Sequence, residues 1–172
     1  DVVDARRVSV IPMPVGEEFR SQNSEARSQK QILTVARLTT QKSIDTLVSA
    51  LAILRERGSN ARLRIIGAGP ERGALEKQMR DLNLQDRVEF VGALSQKELP
   101  RHYAECAVFV LPSIREGMGL VFAEALLCGA PVIAANSGGV TDIVREGETG
   151  LLVPERDARA LADAIEKLLN DR

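Results

Sequence analysis

The sequence predicts one α/β domain in which a mostly parallel sheet is covered by helices on both sides. Three observations predict it. Strand-like and helix-like segments alternate from Ile32 to the C-terminus. Two of the strand-like runs, VFVLP (108–112) and VIAA (132–135), are apolar on both faces, as befits strands sandwiched between helix layers. The length of 172 residues, 44% of them hydrophobic, supplies one core and leaves little room for a second. The expectation is a Rossmann-like three-layer domain.

Each element has a local reason. VSVI (8–11) reads as a short strand, and the polar stretch PVGEEFRSQNSEARSQKQ after it as an inter-domain connection, so residues 1–31 are set apart from a domain over 32–172. ILTVA (32–36) is a β-branched run. Residues 43–57 carry Leu47, Leu51 and Leu54 at helical spacing, and Gly58 provides a helix stop. ARLRIIG (61–67) is the next strand, followed by a polar helix near 70–82 and a third strand in RVEFVG (87–92). Ser95 and Glu98 have the spacing of a capping box that opens a further helix. AVFVLPS (107–113) is a strand, GLVFAEALLC (119–128) a helix up to Gly129, and PVIAAN (131–136) and GLLVP (150–154) two more strands. Asp157 caps a final helix carrying Leu161, Ile165, Leu168 and Leu169.

Composition narrows the function classes. Lys and Arg total 23 against 24 Asp and Glu, a net charge of -1. That balance gives no support to a nucleic-acid partner or a polybasic membrane surface, while leaving room for a local basic pocket for a small anion. Cys106 and Cys128 stand in apolar contexts and read as buried thiols. No apolar run approaches a membrane span, and the lead DVVDARR is unlike a signal peptide. The abrupt start predicts a piece of a longer chain. No Asp-x-Asp stands in a credible metal position, so neither metal nor cofactor is expected.

In sheets of this kind ligands bind beyond the carboxyl ends of the strands. In VARLTTQK, Arg37 and Lys42 flank a short polar turn just past a strand, a plausible diphosphate clamp, although a pair of solvated charges has the same appearance. In IIGAGPERG, Gly67 and Gly69 free the backbone to turn toward a ligand. The third glycine, Gly73, comes one residue late for a dinucleotide fingerprint; Glu89 lies about 20 residues on, where such a site has its ribose carboxylate, but the fingerprint belongs on the opening strand and this motif comes after ILTVA and its helix, so NAD binding is disfavoured. In REGMGLVFAEALLCG, Gly117 and Gly119 precede a helix, so the amides from Met118 to Val121 can face an anion with the helix dipole behind them. A carboxylate beside a phosphate repels it, so Glu116 and Glu124 are expected to bind hydroxyls, leaving phosphates to cations and amides. Their bland readings are a surface loop residue and the wet side of a helix. Asn136, Ser137, Gly138 and Gly139 make a further close-approach turn, with Asp142 expected to help start a short helix.

Together ARLTTQK, GAGP, the two glutamates of EGMGLVFAE and NSGGVTDIVREGETGLLVP resemble the C-terminal nucleotide-sugar-binding domain of the retaining glycosyltransferase family 4, which has the GT-B fold. The resemblance covers nearly everything from Ile32 onward. It implies transfer of a sugar, of hexosyltransferase type, from a nucleotide diphosphate donor (UDP-, GDP- or ADP-linked), without a metal, in polysaccharide or glycolipid synthesis. It assigns Arg37 and Lys42 to the diphosphate, Glu116 to sugar hydroxyls and Glu124 to the ribose. It assigns Met118, Gly119, Leu120 and Val121, with Gly67 and Gly69, to donor contacts, and Val91 and Gly92 to packing against the base. Arg37, Lys42 and Glu116 carry the catalytic expectation, with no protein nucleophile. The family's acceptor-binding N-terminal domain is absent from these residues, so this fragment alone is expected to be inactive. A cytoplasmic location is implied, with any peripheral membrane contact made through the absent domain. Ser43 stands where the family often has glycine, and VIPMPVGEEF lacks the family's asparagine-glycine turn. His102, the sole histidine, is expected to be structural or at the surface. Two alternatives are a nucleotide-sugar epimerase of the same fold and a non-catalytic nucleotide-sugar-binding domain.

Overall fold

The computed structural model describes Gly16, Phe19 and residues 30–170. The predicted strand at VSVI and most of the polar connection lie outside the described residues. Six strands follow in chain order: β1 (Gln31–Val35), β2 (Arg62–Ile66), β3 (Val88–Gly92), β4 (Val108–Leu111), β5 (Val132–Ala135) and β6 (Gly150–Val153). Five helices connect or follow them: α1 (Ile44–Glu56), α2 (Arg72–Asp81), α3 (Leu99–Glu105), α4 (Leu120–Leu127) and α5 (Ala158–Asn170). The strands form one parallel sheet in the order β3-β2-β1-β4-β5-β6. The expected Rossmann-like α/β class is the one observed. The order reverses between β1 and β4, so a crevice opens at their carboxyl ends.

The core follows the predicted pattern. Every residue of β4 and β5 is buried, as their two-sided apolar character requires. α1 packs against α2 and α5, and α3 against α4, which places a helix layer on each face. Leu47, Leu51 and Leu54 are fully buried, and α1 ends as predicted, with Gly58 at φ 81° and its N–H donating to the Arg55 carbonyl at 2.9 Å. Asp157 caps α5 through bonds from the Arg159 and Ala160 N–H groups at 3.0 and 2.9 Å. Half of the capping box forms: the Glu98 carboxylate accepts from the Ser95 N–H and hydroxyl at 2.8 and 2.7 Å.

Two local expectations need correction. The short helix after Gly138 is a single 3₁₀ turn, Gly139–Asp142, and Asp142 ends it rather than starting it, with no capping bond from its side chain. Phe19, in the stretch read as a connection, is fully buried in the domain core.

Ser43 begins α1 in the left-handed region, at φ 48°, and is buried. Glycine occupies that conformation without strain, and its larger unfolded-state entropy offsets only part of the gain. Ser43→Gly is therefore expected to raise unfolding stability by about 1 kcal/mol or less, measured by urea denaturation; a loss of stability would contradict this account.

Candidate donor site

Three loops converge on the crevice between β1 and β4. The loop after β1 ends in a 3₁₀ turn at Thr40–Lys42, the loop after β4 runs into α4, and the loop after β5 carries Ser137 and Gly138. Hydrogen bonds join them. The Ile114 N–H donates to the Gln41 carbonyl at 2.8 Å, and the Gln41 side-chain amide donates to the Arg115 carbonyl at 3.1 Å. The Arg115 N–H donates to the Ser137 hydroxyl at 2.7 Å, and the Gly139 N–H to the Glu116 carbonyl at 2.9 Å.

This frame brings Lys42 and Glu116 together. Lys42 Nζ lies 2.7 Å from Glu116 Oε2, with the two side chains 21% and 13% exposed. Cation and carboxylate, read from the sequence as serving separate parts of a ligand, thus form one ion pair. Arg37 stands at the same sheet edge, exposed and without an ion pair to any described residue. The N–H groups of residues 117–121 find no acceptor among the described residues. Gly119 caps α4 in the left-handed region at φ 62°, Met118 is 52% exposed, and Leu120 and Val121 are half-buried. A lysine, a carboxylate and a row of open amides therefore share one loop junction, an arrangement suited to an anion that also carries hydroxyls.

Glu124 is not on the wet side of α4, and it is not a bare carboxylate. It is 6% exposed; the Tyr103 hydroxyl donates to Oε2 at 3.0 Å and the Gln96 amide to Oε1 at 3.0 Å. Tyr103 is fixed in a row of aromatic rings, with centroids 6.1 Å from Phe19 and 5.3 Å from Phe109, which lies 5.5 Å from Phe122. Burial, then the neighbouring Glu124 charge and hydrogen bond, push the phenol far above its usual range, so it remains a donor. Burial, then Glu124, also push the Cys128 thiol up to about 11. Gln96 is exposed and lies in the loop after β3, so Glu124 links α4 to the end of that strand.

Tyr103→Phe keeps the ring contacts and strips a buried carboxylate oxygen of its donor. The expected cost is about 1.5–3 kcal/mol of stability, read by denaturant unfolding; an unchanged midpoint would show that the bond is not holding Glu124.

Gly67 and Gly69 serve the scaffold. A Cβ on Gly67 would run into the Ala36 carbonyl, and one on Gly69 into the Leu38 carbonyl. The Ala36 and Leu38 N–H groups donate to Ile66 and Ala68 carbonyls, each at 3.0 Å, so these glycines let two strand-end loops lie against each other. Gly92, at φ 89°, has open space where a Cβ would project and accepts from the Gly67 N–H at 2.8 Å; Val91 is half-buried beside it. The end of β3 is three strand spacings from β4, about 14 Å.

His102 stands outside the crevice, half-buried, with Nδ1 3.5 Å from Arg64 Nη1. Burial, then the Arg64 cation, hold it below the usual imidazole value. Glu89 is ion-paired to Arg64 at 2.8 Å. Reading the sequence missed Tyr103, Gln96 and Gln41 as site residues, and placed Ser137 in a close-approach turn without its bond to Arg115. Only Tyr103 carries a signal, as the single tyrosine of the chain.

Residues 15–172 match the family model described as glycosyl transferases group 1. A GDP-mannose-dependent α-(1-6)-phosphatidylinositol monomannoside mannosyltransferase of Mycobacterium tuberculosis is 41% identical over 148 residues, 82% of this chain and 38% of that protein. The α-D-kanosaminyltransferase of Streptomyces kanamyceticus is 31% identical over 97% of this chain and 46% of its own length. Anabaena HepE, solved with UDP and glucose, superposes with a TM-score of 0.76 at 29% identity, covering 82% of this chain and 39% of that one. A sucrose-phosphate synthase from Thermosynechococcus elongatus gives a TM-score of 0.77 at 40% identity, covering 83% and 36%. The chain thus spans less than half the length of these curated relatives. It belongs to the group 1 glycosyl transferases.

Proposed function

We propose that this chain is the donor-binding C-terminal domain of a retaining, family 4 transferase of GT-B architecture. The protein that contains it moves a hexose-type sugar from a nucleotide diphosphate to an acceptor held by a second domain. Lys42 and Arg37, with the amides of residues 117–121, receive the diphosphate; Glu116 takes the sugar hydroxyls and Glu124 the ribose diol. Gly67 and Gly69 shape the donor side of the crevice, and Val91 and Gly92 flank the base.

The observation that carries this reading is the junction at the switch point, where Lys42 and Glu116 meet 2.7 Å apart beside α4's open amides. As the bond between the anomeric carbon and the diphosphate breaks, negative charge grows on the leaving oxygens. Cations and oriented N–H groups fixed beforehand stabilise that charge more than the ground state. The 2.8–3.1 Å bonds among the loop backbones fix the positions of these groups in advance. The relatives support the choice of donor: one is named as GDP-mannose-dependent, and HepE was solved with UDP-glucose.

Calorimetry of the chain with UDP, GDP and ADP tests the reading and identifies the base. Binding of one of the three, preferred over the others, is the expected result, with little or no transfer by the domain alone. If none of the three binds in the millimolar range, the reading fails.

A further inference from the structure

We infer that the Lys42–Glu116 pair makes the site discriminate a sugar-bearing diphosphate from the bare one, so that the product is expelled once its sugar has gone. The inference rests on the proposed donor reading and adds a role that the ligand-binding assignments do not contain. Lys42 Nζ and Glu116 Oε2 are 2.7 Å apart, and each side chain is largely buried. Neither forms a second ion pair among the described residues. The cation is therefore already neutralised when a ligand arrives. A diphosphate brought to Lys42 meets the carboxylate as well, and two anions at that separation repel through a partly desolvated medium.

The backbone cannot relieve this by retreating. The Glu116 carbonyl accepts from the Gly139 N–H at 2.9 Å, and residue 116 bridges to Gly138 in parallel register. Only the side chain of Glu116 is free to turn. A ligand with hydroxyls near the diphosphate offers it O–H donors; the carboxylate moves to them and releases Lys42 to the phosphate. A bare nucleoside diphosphate has hydroxyls only on its ribose, which the proposed reading gives to Glu124, so Glu116 keeps its hold on Lys42 and repels the phosphate. One carboxylate thus adds to donor affinity and subtracts from product affinity.

The test is calorimetry of the full-length protein and its Glu116→Gln variant with UDP, UDP-glucose, GDP and GDP-mannose. Glutamine keeps the size and one acceptor oxygen of the side chain and removes its charge. The expected result is that the variant binds the bare diphosphate tighter, on the order of five- to tenfold, while the sugar nucleotide gains nothing or weakens. The ratio of the two affinities then falls. An unchanged or weakened bare diphosphate would overturn the inference and leave the donor reading standing, with Glu116 acting only on the sugar or on the pose of Lys42. Absence of any nucleotide binding by the unaltered protein would instead remove the donor reading itself, and the inference with it. Should the glutamine variant lose its cooperative thermal transition, Glu116→Ser takes the same measurement, and the same directions decide.

Discussion

Replacing Lys42 by methionine is expected to lower kcat/KM of the full-length transferase roughly 100- to 1,000-fold, mostly through kcat. Methionine retains most of the length and the apolar stem of lysine and removes the charged, hydrogen-bond-donating end. On the proposed reading, that charge faces a diphosphate whose negative charge increases as the sugar–diphosphate bond breaks, so the interaction is worth more in the transition state than in the ground state. Lys42 is 21% exposed, which leaves the interaction only partly screened by solvent. Arg37 is exposed and has no ion pair to a described residue, so Arg37→Met is the smaller change of the two. A thermal melt separates chemistry from folding: losing the partner of Glu116 costs about 1–3 kcal/mol of stability, which shifts the melt and leaves the folded enzyme to be assayed below it. Turnover equal to the unaltered enzyme would remove Lys42 from the diphosphate.

The elements were legible in the sequence because their signals are local. Leu47, Leu51 and Leu54 mark one face of α1, Gly58 ends it and Asp157 opens α5, and each is read from a handful of neighbours. The apolar runs of β4 and β5 announced strands buried on both sides, and with them a parallel sheet. The site was legible as a set of residue types at strand ends but not as a set of contacts. Lys42 and Glu116 are separated by 74 residues and meet because the strand order sets β4 beside β1, which no local window contains. The same limit hid the Tyr103–Glu124 bond, made across the α3–α4 contact. Gly67 and Gly69 showed that a turn is tight without showing what lies against it: here it is the carbonyls of Ala36 and Leu38. Phe19 in its polar surroundings gave no periodicity, yet it completes the aromatic row that fixes Tyr103.

Gly138→Ala is expected to be among the most damaging single-methyl changes near the site. Gly138 has φ 66° and ψ -148°, a region that side-chain-bearing residues essentially do not enter, at a cost of about 1–3 kcal/mol. An added Cβ would also collide with the Glu116 carbonyl, a backbone atom that cannot swing aside. Relieving that overlap means parting the β4 and β5 loops where Gly139 donates to Glu116 at 2.9 Å, a further cost of about 1–3 kcal/mol. The sum lowers the melting temperature by roughly 10 °C for a domain of this size. The displacement also moves Glu116 away from Lys42, so donor KM rises in whatever fraction remains folded. Gly147 provides the control: its φ is 74°, but nothing lies within 4 Å of the position its Cβ would take. Gly147→Ala therefore carries the backbone strain alone, about 1 kcal/mol, and leaves donor binding unchanged. If the two variants melt together, the contact between the β5 loop and Glu116 is not what holds the carboxylate in place.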